Sequence, residues 1–138
     1  MTKRGFLGVG VASTRLELHW TVPIGAFVFG GFDFAPFFWV AYVTIVLIHE
    51  LGHAVVASAY GQTIEAIQIT GFGGACRFSG DATEEQRGAI AWGGVSAQAV
   101  LLACTLLVLT ITGRPEVAWA VELERAFIFF NAGLMLLN

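Results

Sequence analysis

The sequence predicts a mainly α-helical, polytopic membrane protein with about four transmembrane helices and a small β-hairpin between the second and third. Of its 138 residues, 57% are hydrophobic and only 12% are charged, about half the charged fraction of an average soluble domain. The mean hydropathy is +0.76, and four apolar segments recur along the chain. Length and composition therefore favour a single integral-membrane domain over residues 1–138, surrounded by the lipid bilayer.

The charge and cysteine content exclude several other classes of protein. The net charge is -3 and there is no basic block, so nucleic acid is not an expected partner. Cys76 and Cys104 lie far apart and form no CxxC motif, which predicts no disulfide framework. Lys3 and Arg4 precede a short, glycine-rich stretch rather than a long apolar one, so we expect no cleavable signal peptide.

The four apolar segments differ in length. The first, residues 20–32, is uncharged but short, whereas the second, residues 34–60, is interrupted only by two histidines and a glutamate. The third, residues 88–113, carries no charge, and both it and the second exceed the roughly 20 residues that cross a bilayer. The fourth, residues 126–138, is still apolar at Asn138. We expect this last helix to be truncated, the domain to be incomplete at its C-terminus, and the natural chain to continue.

Residues 61–80, GQTIEAIQITGFGGACRFSG, have a different pattern. The run TIEAIQIT is rich in β-branched residues, GFGG is a turn signal and ACRFS is a candidate return strand, which together predict a β-hairpin. An irregular loop with a hydrophobic anchor is the alternative. The following DATEEQ predicts a helix start, with Thr83 as the N-cap and Gln86 at the third helical position.

The loop charges predict the orientation in the membrane. Five basic residues lie on the N-terminal side of the predicted topology and two on the other: Lys3, Arg4, Arg15, Arg77 and Arg87, against Arg114 and Arg125. The positive-inside rule then places the N-terminus in the cytoplasm. We expect a multi-pass protein of the cell (cytoplasmic) membrane.

The stretch VLIHELGHAVV contains the most informative motif. His49 and His53 are four residues apart, so a helix places both imidazoles on one face, where two nitrogens can bind one Zn²⁺ ion. Glu50 flanks the same site as a general base for a water that zinc activates. The alternative is that neighbouring groups merely satisfy the three polar side chains, although unpaired ionisable groups in a bilayer cost free energy.

Two histidines one turn apart cannot bind opposite faces of a haem, which argues against a haem site at this pair. His19, in LELHWT, resembles an interfacial His-Trp pair, for which a structural role is the simpler interpretation. A transporter or haem protein stays open as a third class of function.

The order of the motifs resembles the site-2 protease family of intramembrane zinc metalloproteases. HELGH late in an apolar segment is followed by a glycine-rich hairpin and a further apolar segment. LHWTVPIG is similar to the start of the family's first helix. GGVSAQAVLLA takes the place of the family's GPxxN motif, and NAGLMLLN resembles the run before its LxPxxxxDG motif. The resemblance covers nearly the whole chain and implies a zinc endopeptidase whose substrates are membrane-spanning or membrane-anchored regulatory proteins.

The resemblance also implies what is missing or altered. In the family, the third zinc ligand is the aspartate of the DG motif, which would lie beyond residue 138, so we expect the chain as given to be inactive alone. Gln98 stands where the family usually has asparagine, and it is either a substrate contact or a helix-packing residue. A non-catalytic relative that binds membrane segments or metal without hydrolysis is the alternative function.

The predicted hairpin supplies the other candidates for substrate binding. A protease needs an extended substrate, and the edge of a hairpin can pair with the backbone of an unwound membrane segment. We therefore expect Ile67, Ile69, Gly73 and Gly74, together with Gln98, to bind the substrate, with the hairpin edge near the histidines. The alternative is that the hairpin only anchors the protein at the membrane surface.

Overall fold

The computed structural model describes residues 5–11 and 14–137. It is mainly helical with one small sheet. In chain order, the elements are β1 (Phe6–Val11), β2 (Thr14–His19), α1 (Val22–Phe29), α2 (Pro36–Ala59), β3 (Thr63–Thr70), β4 (Gly73–Ser79), α3 (Glu84–Thr112), α4 (Ala118–Arg125), a π-helical turn (Ala126–Phe130) and α5 (Asn131–Leu137). Lys3, Arg4 and Asn138, which entered the predictions of orientation and of the last segment, lie outside the described residues.

Helices α2 and α3 are long and apolar enough to cross a membrane. Helix α2 begins with Pro36 in its first turn, where proline's missing N–H costs nothing. The Glu122 carboxylate of α4 accepts hydrogen bonds from the next two backbone N–H groups, those of Phe37 and Phe38, at 3.1 and 3.3 Å. Helix α3 begins with the predicted capping box of Thr83 and Gln86. Each helix start is therefore defined by groups that satisfy its free N–H donors.

The prediction of about four transmembrane helices is not confirmed, since the described residues contain two candidate spans. The first apolar segment forms only the eight-residue α1, which ends where Gly31 and Phe32 adopt positive φ angles of 86° and 63°. Eight residues rise about 12 Å, well short of a hydrocarbon core of about 30 Å. The last segment forms the π-helical turn and α5, which continue from α4 without a break.

The sheet contains the predicted hairpin and a second one that the sequence analysis missed. Strands lie in the order β1-β2-β3-β4. Strands β3 and β4 form the predicted antiparallel hairpin around the Gly71–Phe72 turn. Strands β1 and β2 form another hairpin, and β2 pairs with β3 in parallel. His19 ends β2 and its Nδ1 lies 2.8 Å from Thr21 Oγ1, which agrees with a structural role.

Helix α2 lies at the centre of the molecule, and the hairpin turn is hydrogen-bonded to its N-terminal third. The Tyr42 hydroxyl donates to the Gly71 carbonyl at 2.8 Å, and this hydroxyl is buried. Gly71 also packs against the backbone of Gly25 in α1, so closely that neither residue has room for a Cβ atom. The hairpin therefore runs alongside α2, and β4 passes the helical turn that carries His49 and Glu50.

Candidate metal centre

The two histidines of HELGH converge on one point. Both lie on α2, and their Nε2 atoms are 2.9 Å apart. Only 6% of His49 is exposed. The imidazoles thus lie on the same side of the helix, as the four-residue spacing predicts.

Groups on α3 fix the orientation of each imidazole. His49 Nδ1 lies 2.9 Å from Gln98 Oε1, and His53 Nδ1 lies 2.7 Å from the backbone carbonyl of Ile90. Because a carbonyl oxygen can only accept, both Nδ1 atoms donate a proton in this arrangement. The Nε2 atoms then carry lone pairs that face each other, and this repulsive arrangement is relieved by a cation bound to both.

The donor set therefore fits a zinc ion, with His49 and His53 as the two residues that would hold it. Two neutral imidazoles with donating Nδ1 groups are typical of catalytic zinc sites, which usually have three protein ligands. Over residues 5–11 and 14–137, however, no group of three His, Cys, Asp or Glu side chains could hold a metal ion. Both imidazoles would bind from the same side, so this pair cannot sandwich a haem.

Glu50 lies beside the histidines in the wall of a cavity. It is only 3% exposed, and the backbone N–H of Cys76 in β4 donates a hydrogen bond to it. The cavity has a volume of about 780 Å³ and is lined by all three residues of the motif, by β4 and by the helical segment that ends the chain. A carboxylate next to a water-accessible metal site can accept a proton from water.

Two glycines leave the room that this site needs. A Cβ atom on Gly94 of α3 would lie 2.5 Å from His49 Cε1 and 2.6 Å from His53 Nε2. A Cβ atom on Gly74 of β4 would lie 2.5 Å from Glu50 Oε1. Any other residue at either position would therefore collide with the motif.

The hairpin candidates for substrate binding are divided between two environments. Gly73 and Gly74 line the cavity. Ile67 and Ile69 instead lie on β3, which is paired on both sides, and they are 6% and 1% exposed. Their side chains are not among those that line the cavity. Their predicted contact with substrate stays a prediction, which the structure does not favour.

Gln98 is likewise placed away from the cavity wall. Its side chain is 0% exposed and contacts His49 rather than open space. The role of Gln98 as a substrate contact also stays a prediction.

Sequence reasoning missed three groups at this site: Gly94, the Ile90 carbonyl and Asn131, which donates to the backbone of Gln98. A signal for Gly94 exists in the sequence, because paired small residues inside an apolar helix indicate close helix contact. Gly93 makes such a contact with Gly52 of α2. The other two groups depend on tertiary packing and have no local signature.

The environment of Cys76 argues against a reactive thiol. Burial and the neighbouring Glu50 carboxylate raise the pKa of this thiol to about 11. Since the thiolate is the nucleophilic and metal-binding form, Cys76 is protonated at neutral pH and is poorly suited to either role.

Comparison with known proteins identifies the family. None of the curated proteins matches this chain. The solved structure of the site-2 protease from Methanocaldococcus jannaschii is similar, with a TM-score of 0.71 and 20% sequence identity over 93% of this chain. This chain spans 63% of the length of that structure. The sequence profile described as "Peptidase M50B-like" matches residues 23–136. The chain shares the fold of that site-2 protease, and because the profile match covers most of the chain, the protein belongs to the Peptidase M50B-like family.

Proposed function

We propose that this protein is an intramembrane zinc endopeptidase that cleaves membrane-spanning or membrane-anchored regulatory proteins. The observation that carries this proposal is the convergence of the His49 and His53 Nε2 atoms, 2.9 Å apart, beside the buried Glu50 carboxylate. Membership of a peptidase family supports the same reaction. The two candidate membrane helices support a substrate that is itself embedded in lipid.

The roles of the residues follow from their positions. His49 and His53 hold Zn²⁺, which when bound polarises a carbonyl and makes water nucleophilic near neutral pH. Glu50 accepts the proton of the attacking water and can deliver it to the leaving amine. The Cys76 N–H that donates to Glu50 helps to fix the carboxylate in the cavity wall, beside the two imidazoles.

The third zinc ligand is assigned by resemblance. In the family it is an aspartate of a DG motif, and we propose that it lies beyond residue 138. Within residues 5–11 and 14–137, the histidine pair has no third His, Cys, Asp or Glu partner. This observation also favours the second candidate function, a relative that binds membrane segments or metal without hydrolysis.

The edge strand β4 is the proposed platform for substrate. It pairs only with β3 in the described sheet, and successive residues Gly73, Gly74, Ala75 and Cys76 all line the cavity. An unwound membrane segment needs partners for its backbone, because unpaired groups in lipid are costly. Pairing with β4 as an added strand would satisfy these groups and extend the scissile peptide beside Glu50.

The orientation in the membrane is part of the proposal. The excess of basic residues on one side supports a cytoplasmic N-terminus and a location in the cell membrane. Because β2 pairs with β3, the N-terminal strands lie beside the end of α2 that carries HELGH, and the metal centre would then lie in the cytoplasmic half of α2.

The catalytic role is tested with Glu50→Gln in the intact protein. The amide has nearly the same shape but cannot accept the proton of the water, so we expect zinc binding to persist and cleavage to fall by about 10²- to 10⁴-fold. Zinc is measured by atomic absorption, and cleavage with a membrane-anchored substrate in proteoliposomes. Full activity of Glu50→Gln would remove the general-base role. Zinc binding by wild type without any cleavage would favour the non-catalytic relative.

The substrate platform is tested with single prolines in β4, at Ala75 and Arg77 in turn, with Cys76 left unchanged because its N–H donates to Glu50. Each proline removes one backbone donor, and we expect those whose N–H points away from β3 to block cleavage without loss of zinc. Val9→Pro is a matched control, since β1 is the other edge of the sheet and lies outside the cavity wall. Normal cleavage by both β4 variants would show that this strand does not bind the substrate.

A further inference from the structure

We infer that Gln98 is a positioning residue that orients His49 for zinc binding, and that Asn131 holds Gln98 in place. This inference rests on the proposed zinc site and assigns Gln98 a role different from substrate contact. It makes the end of the chain, α5, part of the support of the metal centre.

The first step is the contact between Gln98 and His49. Gln98 is 0% exposed on α3, and its Oε1 atom lies 2.9 Å from His49 Nδ1. The oxygen accepts the Nδ1 proton and so leaves the lone pair on Nε2, the atom that faces His53. The Ile90 carbonyl does the same for His53. One ring is thus fixed by the backbone of α3 and the other by a side chain of α3.

The second step is the anchoring of Gln98 by Asn131. Asn131 is 0% exposed, and its Nδ2 atom donates to the backbone carbonyl of Gln98 at 3.1 Å. Asn131 directly follows the π-helical turn, residues 126–130. Such a turn inserts an extra residue and shifts the face that the next helix presents. Here the helix after the turn, α5, presents Asn131 to α3.

The third step is that these amides are poor choices for packing alone. Gln98 Nε2 and Asn131 Oδ1 are buried and have no hydrogen-bond partner among the described residues. Unpaired buried polar atoms destabilise a fold, and apolar residues of similar shape would remove that cost. A requirement other than stability therefore accounts for the amides, and the bond to His49 supplies one.

The inference predicts different effects on stability and on metal affinity. Gln98→Leu keeps the approximate shape, removes the unpaired Nε2 group and leaves the His49 Nδ1 donor without its acceptor. One unpaired buried group replaces another, so thermal stability without zinc should change little. The same change frees the His49 ring, and loss of such a supporting contact weakens metal binding by about 10- to 100-fold. Gln98→Glu keeps an acceptor oxygen at the same arm length, and it should restore zinc affinity to within a few-fold of wild type.

Asn131→Leu tests the second contact. We expect an intermediate loss of zinc affinity, because the Gln98 side chain remains but its backbone is no longer held. Gln68→Leu is the matched control. It also deletes a hydrogen-bonded glutamine, one that donates to Glu17 at 2.5 Å in the sheet, and it should leave zinc affinity unchanged.

The experiment is a competition titration of zinc against a fluorescent chelator, with the intact purified protein in detergent and thermal unfolding of the metal-free form measured in parallel. Loss of affinity in Gln98→Leu with recovery in Gln98→Glu supports the positioning role. Equal zinc affinity of Gln98→Leu and wild type overturns it. Retained zinc affinity in Gln98→Leu with loss in Gln98→Glu would also overturn it, because that outcome shows that the position requires only packing. If wild type binds no more zinc than a His49→Ala/His53→Ala variant, the proposed function itself fails, which is a different outcome.

Discussion

Replacement of Gly94 by alanine tests the geometry of the site most sharply, because the same change is stabilising in most helices. Glycine inside a helix costs about 1 kcal/mol relative to alanine, so an ordinary position would gain stability. At Gly94, the added methyl carbon would lie 2.5–2.7 Å from three atoms of the two imidazoles. Ordinary carbon contacts are about 3.5–4.0 Å, so the rings or the helices must move by about 1 Å.

The magnitude follows from that displacement. Extra carbon atoms in a well-packed interior cost about 1–3 kcal/mol. If the rings move, this cost appears as weaker zinc binding, and since about 1.4 kcal/mol corresponds to a tenfold change, the affinity should fall by roughly 5- to 150-fold. If the helices separate instead, the metal-free protein unfolds at a lower temperature.

Gly88→Ala is the matched control for this prediction. Gly88 lies on the same helix, and a Cβ atom there would meet nothing within 4 Å, so we expect unchanged zinc affinity and equal or higher stability. The assay is zinc competition titration with thermal unfolding of both variants. If Gly94→Ala binds zinc as tightly as wild type and is stabilised like Gly88→Ala, the proposed packing of α3 against the histidine pair is refuted.

Three further predictions concern other parts of the site. Gly74→Ala places a methyl group 2.5 Å from Glu50 Oε1 and should lower cleavage at least tenfold while zinc content, measured by atomic absorption, is retained. Because its pKa is raised to about 11, Cys76 should react slowly with maleimide at pH 8 and faster as the pH rises. Labelling is followed by mass spectrometry, and fast labelling at pH 8 would contradict this prediction. Residues 1–138 alone should bind zinc weakly and cleave nothing, since His49 and His53 have no third partner among the described residues; robust turnover would show a third ligand within the chain.

The parts of the site that the sequence predicted are local. The histidine spacing, the hairpin over residues 63–79 and the capping box at Thr83 each depend on residues within one turn or one hairpin of each other. Helical periodicity and turn chemistry are sufficient for such features.

The parts that were missed depend on contacts between distant segments. Strand β2 is completed by parallel pairing with β3, about 50 residues later in the sequence: Arg15 lies opposite Ala66. The alternation of residue types in the glycine-rich β1 is too weak to predict a strand without that partner. The apolar composition of the first segment predicts a transmembrane helix of marginal length, whereas the backbone turn at Gly31 and Phe32 ends α1 after eight residues.

The role of Gln98 illustrates the same limit. Its position in an apolar helix predicts a polar contact, but only the packing of α3 on α2 selects His49 as the partner. Asn131 has no local signature at all, because the π-helical turn before it changes the face that α5 presents to α3.

The most direct test of the central claim is X-ray absorption at the zinc K edge of the intact protein. If His49 and His53 hold the metal, wild type should show two imidazole ligands in the first shell, and His49→Ala and His53→Ala should each lose one imidazole and most of the bound zinc. Gln62→Ala, in the turn after α2, should leave the spectrum unchanged. A zinc shell without imidazole, or one that is unaltered in both histidine variants, would contradict the assignment of HELGH as the metal site.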